Sequence, residues 1–305
     1  MRIPQRRSLA VLPAALALAA AGSTAACAAG TSDGAVQARR VAAAASFERG
    51  PAPTEQSVTG ALGPFSYSRV TVTDAASTGF GGGTIYYPDD LSQGTFGGIA
   101  VSPGYTARES SIAWLGPRLA SQGFVVITIT TDGLYDQPTS RGRQLLAALD
   151  HLRTKAPAEV ARRLDPQRLA VAGHSMGGGG ALYAAWSRPA LKASIPLAPY
   201  QTIKDWSGTR VPTMIIGGTR DTVTPVGQHA ERFYTSMTAA PERSYAEVAD
   251  ADHVAFTRED PVVGGLAVAW AKRFVDGDAR YEPFLCPAPL GTARLTEYRN
   301  SCPTG

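Results

Sequence analysis

The fold class this sequence predicts is a mostly parallel β-sheet covered by helices on both faces, and three observations predict it. Two hairpin-like strands give way to a regular alternation of short apolar strands and helical stretches. One strand-to-helix boundary carries Gly173-x-Ser175-x-Gly177, the pattern of a sharp turn that pushes a serine hydroxyl out at the end of a strand. Only about a dozen residues separate Leu197 from Val211, which leaves no room for a lid or cap domain after the strand that follows the serine helix. By composition the five-residue pattern alone would arise in roughly one chain of this length in ten, so its context has to carry the reading.

The elements follow in order. Alternation in 67–73 (YSRVTVT) gives a first strand and 83–87 (GTIYY) a second, with 79–82 turning between them. The run 97–102 (GGIAVS) is a short buried strand that ends in Pro103-Gly104-Tyr105-Thr106-Ala107. A helix is expected over 110–121, a strand over 124–130, a loop over 132–139 and a helix over 140–153. The apolar strand 168–172 (RLAVA) then runs into the serine turn and a helix over 178–186 (GGGALYAAW). Strands over 193–197 and 212–217, a helix over 226–237, a strand over 244–248 and a helix over 263–275 complete the pattern.

The first residues read differently. Arg2, Arg6 and Arg7 precede an apolar stretch over 9–21 and then small residues around 25–29, the layout of a secretory signal and too short for a comfortable membrane span. Arg6-Arg7 leaves open a twin-arginine export route beside an ordinary basic leader. Cys27 leaves open lipid anchoring, although neither Leu nor Val stands three residues before it. Residues 28–60 are rich in Ala, Gly, Thr, Ser and Pro without sustained periodicity, and order is expected from near Phe47 or Pro51. Residues 1–45 are therefore read as signal and leader, and 46–305 as one domain of a secreted monomer.

Composition narrows the function classes. Removing 1–27 takes away three arginines and no acid, so the formal charge falls from +4 to about +1, which argues against a nucleic-acid partner. Neither a Cys/His zinc spacing nor a lysine-bearing phosphate loop occurs, and no cofactor is expected. Cys286 and Cys302 remain as a pair that an oxidising compartment is expected to join, two free thiols being the alternative.

A serine hydroxyl is a poor nucleophile at neutral pH and needs a histidine to take its proton and a carboxylate to orient that histidine. The chain has four histidines. His151 lies inside a helix, His174 is the variable residue of the serine turn and is expected to face away, and His229 is expected on a surface helix. His253 lies in a loop just past the strand 244–248, in the Ser…Asp…His order this architecture imposes. Asp221 ends the segment beyond the strand 212–217 and is the favoured orienter, since strand-end loops are what converge on the serine. Its competitors are Asp205, which precedes that strand, and Asp250 and Asp252, which lie too close to His253 along the chain. For the oxyanion, the N–H of Met176 is one expected donor, and Tyr105 beyond the strand 97–102 is the other.

With these residues in place, the sequence resembles the actinobacterial cutinase and polyester hydrolase family, which includes the poly(ethylene terephthalate) hydrolases. The matching stretches are FERGPAPT (47–54), SPGY (102–105), DQP (136–138), SRGRQLLAAL (140–149) and GHSMGGGG (173–180). The resemblance runs from about residue 46 to the end. It implies an α/β-hydrolase fold, the triad Ser175, Asp221 and His253, oxyanion donors at Tyr105 and Met176, and a disulfide between Cys286 and Cys302.

Two departures stand out. Where the family usually has Pro-Trp-His, this chain has Pro199-Tyr200-Gln201, so a smaller ring at Tyr200 is expected to meet the substrate beside Tyr105 and to alter substrate preference. Calcium-binding members carry acids at positions that are Thr219 and Ala249 here, so no calcium is expected there. The activity implied is serine hydrolysis of polyester, cutin-type or short-chain esters. The alternatives are a secreted lipase or carboxylesterase, an envelope acyltransferase, and a non-catalytic binding protein on the same fold.

Overall fold

The computed structural model describes residues 46–302, so the expected leader over 1–45, with Cys27, lies outside the described residues. Nine strands of the described residues form one sheet: β1 (Tyr67–Val72), β2 (Gly83–Pro88), β3 (Phe96–Ser102), β4 (Phe124–Ile129), β5 (Leu164–His174), β6 (Ala193–Leu197), β7 (Thr213–Gly218), β8 (Arg243–Val248) and β9 (Leu295–Asn300). Their order across the sheet is β1-β2-β4-β3-β5-β6-β7-β8-β9. The six strands from β4 to β8 pair in parallel, while β1, β2 and β9 add antiparallel margins.

Seven α-helices accompany them among the described residues: α1 (Glu55–Thr59), α2 (Leu115–Ala120), α3 (Pro138–Thr154), α4 (Ala158–Ala161), α5 (Met176–Ser187), α6 (Ala230–Ser236) and α7 (Pro261–Val275). The two-residue period of a strand sends alternate side chains to opposite faces. Ile99 and Val101 of β3, Val126 of β4 and Ile195 of β6 thus join one core with Leu119 of α2 and Leu266 of α7. Ala100, Val125, Ile127 and Val171 join the other, with Leu145 and Leu149 of α3 and Ala181 and Ala184 of α5. Ile215 and Tyr245 point to a third cluster with Phe233 of α6. Burial on both faces explains why the central strands read as continuous apolar runs.

Most expected elements are present, and the differences have local causes. The helix expected over 110–121 is instead a 3₁₀ turn (Glu109–Ser111) followed by α2. Pro117 accounts for this: deep inside one helix it would clash with the carbonyl a turn back, and starting α2 at Leu115 puts it in the first turn. The helix expected over 226–237 breaks at His229 (φ −128°, ψ −89°) into a 3₁₀ turn (Val226–Gln228) and α6. β5 begins four residues before the expected strand. The edge strand β9 has no counterpart among the expected elements, since its LTEYRN run is half-exposed and carries little apolar signal.

Cys286 and Cys302 are disulfide-bonded, with Cα atoms 5.9 Å apart. The bond ties the segment before β9 to the second residue past its end, and closing a loop of this size is worth about 3 kcal/mol in the chain-entropy model. No helix among the described residues is long and apolar enough to cross a membrane.

Candidate active site

The serine turn sits where β5 meets α5. Ser175 has φ 55° and ψ −119°, a conformation that side-chain-bearing residues rarely adopt. The turn closes because its flanking positions lack side chains: a Cβ at Gly173 would lie 2.4 Å from the Gly177 carbonyl oxygen, and one at Gly177 would lie 2.2 Å from the Ser102 carbonyl oxygen. The hydroxyl is thereby presented at the carboxyl end of the sheet, beside the first free N–H groups of α5.

His253 comes from the loop after β8 and Asp221 from the loop after β7. His253 Nε2 is 2.8 Å from Ser175 Oγ, and His253 Nδ1 is 2.8 Å from Asp221 Oδ2. Asp221 Oδ1 accepts the N–H groups of Val223 and Thr224 at 2.8 and 2.7 Å, and Oδ2 accepts the Thr224 hydroxyl at 2.6 Å. Burial by itself would raise this carboxyl, but hydrogen bonds from His253 and Thr224 outweigh it and hold Asp221 down at about 2. An ionised carboxylate on Nδ1 keeps that nitrogen protonated and leaves Nε2 free to accept the serine proton.

The competing acids serve local turns instead. Asp205 accepts the Ser207 N–H at 2.8 Å, and Asp252 accepts the Ala255 N–H at 2.9 Å to cap a 3₁₀ turn. Asp250 occupies a tight turn with φ 58°, its N–H bonded to Thr219 Oγ1 at 2.8 Å. Ala249 donates its N–H to the Arg294 carbonyl at 2.8 Å.

Tyr105 and Met176 lie on either side of the serine. A Cβ at Gly104 would come within 3.0 Å of Ser175 Cβ, so the loop after β3 passes directly over the hydroxyl. The N–H groups of its neighbours are engaged, Thr106 N–H to Leu134 O at 2.8 Å and Ala107 N–H to Gly104 O at 3.2 Å, whereas Tyr105 N–H has no backbone acceptor among the described residues. Met176 heads α5, where the N–H has no carbonyl one turn back. The Tyr105 ring is 45% exposed and meets Tyr135 edge-on, with centroids 5.6 Å apart. Tyr135, 69% exposed in the loop beyond β4, borders Tyr105 and was not singled out by the sequence reading, although its place past a strand end was a usable signal.

Two histidines stand where the sequence reading did not put them. His174 does not face away: its Nε2–H donates to the His253 carbonyl at 2.8 Å, and the two rings are 4.8 Å apart. Since a carbonyl only accepts, the tautomer follows from the contact. His229 is buried rather than on a surface helix face, stacked under Tyr200 with centroids 5.3 Å apart. Lys204 Nζ donates to His229 Nδ1 at 3.2 Å, and Phe233 meets the ring edge-on. The turn of chain at His229 that splits the expected helix is what brings this ring inward. Tyr200 itself is anchored through its N–H to the Ser175 carbonyl at 2.8 Å.

Burial, reinforced by the His253 ring, pushes His174 down to about 4. Burial and then the Lys204 ammonium push His229 down to about 4 as well. Both favour the neutral imidazole in the folded chain, whereas the unfolded chain binds protons near pH 6.5. Their contribution to stability is thus complete above about pH 6.5 and is lost as the pH falls toward 4. The melting temperature is expected to drop across that interval, and His174→Gln to flatten the drop, removing a dependence of up to about 3 kcal/mol. Melting curves of the two proteins at pH 7 and pH 4.5 check this, and parallel pH dependences would contradict it.

The model of the PET hydrolase-like family matches residues 41–303. The chain belongs to this family. It is 52% identical over 259 residues to a bis(hydroxyethyl) terephthalate hydrolase of Streptomyces coelicolor, covering 85% of this chain and 83% of that protein. It is 51% identical to cutinase 1 of Thermobifida cellulosilytica, covering 84% and 98% of the two chains. A cutinase of Thermobifida fusca is 51% identical over 263 residues, covering 86% and 87%. The sheet, with its helices on both faces and no helix in the 198–212 connection between β6 and β7, is the α/β-hydrolase fold of this family.

Proposed function

We propose that this chain is an exported, monomeric carboxylic ester hydrolase that cleaves cutin-like and synthetic polyesters, and short acyl esters, through an acyl-enzyme on Ser175. The observation that carries the reading is the unbroken relay Ser175 Oγ to His253 Nε2 and His253 Nδ1 to Asp221, each link 2.8 Å, in a site with no inserted cap. In the proposed reaction Ser175 Oγ attacks the ester carbonyl carbon while His253 Nε2 takes its proton. The oxyanion rests on the N–H groups of Tyr105 and Met176. His253 returns the proton to the leaving alcohol, and the acyl group stays on Ser175. Water, deprotonated by His253, then adds to the acyl carbon and releases the carboxylic acid and the serine.

Openness of the site supports a polymeric substrate, because an ester inside a long insoluble chain must reach Ser175 without threading a lid. The names of the relatives support the same class: one hydrolyses bis(hydroxyethyl) terephthalate and others are cutinases. The test is to compare product release from aliphatic and aromatic polyester films with turnover of tributyrin and a long-chain triglyceride. Acid release from film is expected; turnover of triglycerides with none from either film would assign the chain to lipases.

Tyr200 and Tyr105 are proposed as the aromatic walls that meet the acyl group. Aromatic pairing is worth about 0.5 to 1.5 kcal/mol beyond buried area. Tyr200→Ala is therefore expected to lower kcat/KM on an aromatic diacid ester about 2- to 12-fold. Tributyrin turnover should stay within about twofold. Equal losses on both substrates would remove Tyr200 from the specificity surface.

A further inference from the structure

Arg141 is the least expected side chain near the site. It lies in the first turn of α3 and is fully buried, yet no carboxylate pairs with it among the described residues. Its donors go to acceptors in two loops. Nε–H bonds Asp136 O at 2.8 Å and Nη2–H bonds Leu134 O at 2.9 Å, both in the loop beyond β4. Nη1–H reaches Thr131 Oγ1 and Pro103 O, each at 3.2 Å, and Pro103 belongs to the loop beyond β3. The Asp136 carboxylate is occupied elsewhere, by Gly133 N–H and Gln144 Nε2 at 2.9 and 2.7 Å.

These bonds converge on Tyr105. Leu134 O, held by Arg141, also accepts Thr106 N–H at 2.8 Å. Pro103 and Thr106 thus both answer to one guanidinium, directly on one side and through a shared carbonyl on the other, and Tyr105 N–H lies between them. Thr106 needs such restraint, since its φ of 57° is unfavourable for a β-branched residue. A planar fork with five N–H donors can serve four acceptors in two loops at once; a lysine ammonium cannot hold that geometry.

We infer that Arg141 is a positioning residue for the oxyanion hole, clamping the loops beyond β3 and β4 so that the Tyr105 N–H points at the developing negative charge. The inference rests on the reading of Ser175 and Tyr105 given under the proposed function. An arginine that only knits loops together would contribute to stability alone; one that aims an oxyanion donor contributes in the transition state. Oxygen and sulfur esters separate the two. A thionoester places sulfur, larger and a weaker acceptor, where the oxyanion would form, so a well-aimed hole discriminates against it and a loosened one discriminates less.

The test compares the native protein, Arg141→Lys, Thr131→Val and Ser175→Ala on a matched p-nitrophenyl oxoester and thionoester, at a temperature where circular dichroism shows each folded. Arg141→Lys is expected to lower kcat on the oxoester about 10- to 100-fold with KM within about threefold, and to reduce the oxoester-over-thionoester preference by the same factor as kcat. Thr131→Val, which removes one acceptor from the guanidinium with little change of shape, is expected to show the same pattern at about threefold. A lowered melting temperature with an unchanged oxoester preference would overturn the inference. If Arg141→Lys does not fold, Thr131→Val decides alone, and an unchanged preference in it overturns the inference equally. Turnover retained by Ser175→Ala would instead overturn the reading on which the inference rests.

Discussion

Ser175→Ala is expected to reduce ester turnover at least about 10⁴-fold while leaving the fold intact. Alanine keeps the Cβ that already tolerates φ 55°, so the turn and its contacts with the loop after β3 persist. What disappears is the only hydroxyl that His253 Nε2 holds at 2.8 Å. The oxyanion donors would remain and could still assist direct attack by water, which accounts for any residual rate. Steady-state rates on a soluble ester, with circular dichroism as the control for folding, measure the effect. A loss under about tenfold would mean that the reaction uses another nucleophile.

Asp221→Asn should cost nearly as much, about 10³- to 10⁴-fold in kcat, for a different reason. The amide oxygen can replace Oδ1 and keep the Val223 and Thr224 N–H groups satisfied, so the loop after β7 has no cause to move. The amide nitrogen then faces His253 Nδ1, where it donates instead of accepting. That contact favours the tautomer with the proton on Nε2, which donates to Ser175 Oγ and can no longer remove its proton. Since Asp221 is held at about 2, the native carboxylate stays ionised far below neutrality, and the substitution removes a charge present at every working pH. kcat for the variant at pH 8, with its melting temperature unchanged within a few degrees, is the check. Retained activity would move the orienting role to another acid.

The candidate site was legible in the chain to an unusual degree because its parts obey a one-dimensional rule. Each of Ser175, Asp221 and His253 follows a short apolar strand, and in a parallel sheet such positions gather at one edge. Tyr105 was found the same way. His229 escaped because nothing in VGQHAERF signals that a helical run will break and turn a ring inward. Arg141 escaped because helix periodicity places it on α3 without saying that its partners are main-chain carbonyls in two other loops. His174 was assigned the wrong direction, since only the return of the chain after β8 brings the His253 carbonyl to it.

Local pattern was therefore enough to settle the layered α/β architecture and to nominate a nucleophile with its base and acid, while Cys286 and Cys302 were left as the pair that the fold then joins. These depend on spacing, on strand ends and on the small number of histidines and cysteines in the chain. The 2.8 Å contact between residues 78 positions apart came from packing across the sheet. So did the stack of Tyr200 on His229, the edge contact of Tyr105 with Tyr135, and the burial of Arg141 between two loops. The physical division is between short-range information, carried by side-chain periodicity and backbone sterics, and contacts among loops, whose geometry is defined once the strands beneath them have taken their order and register.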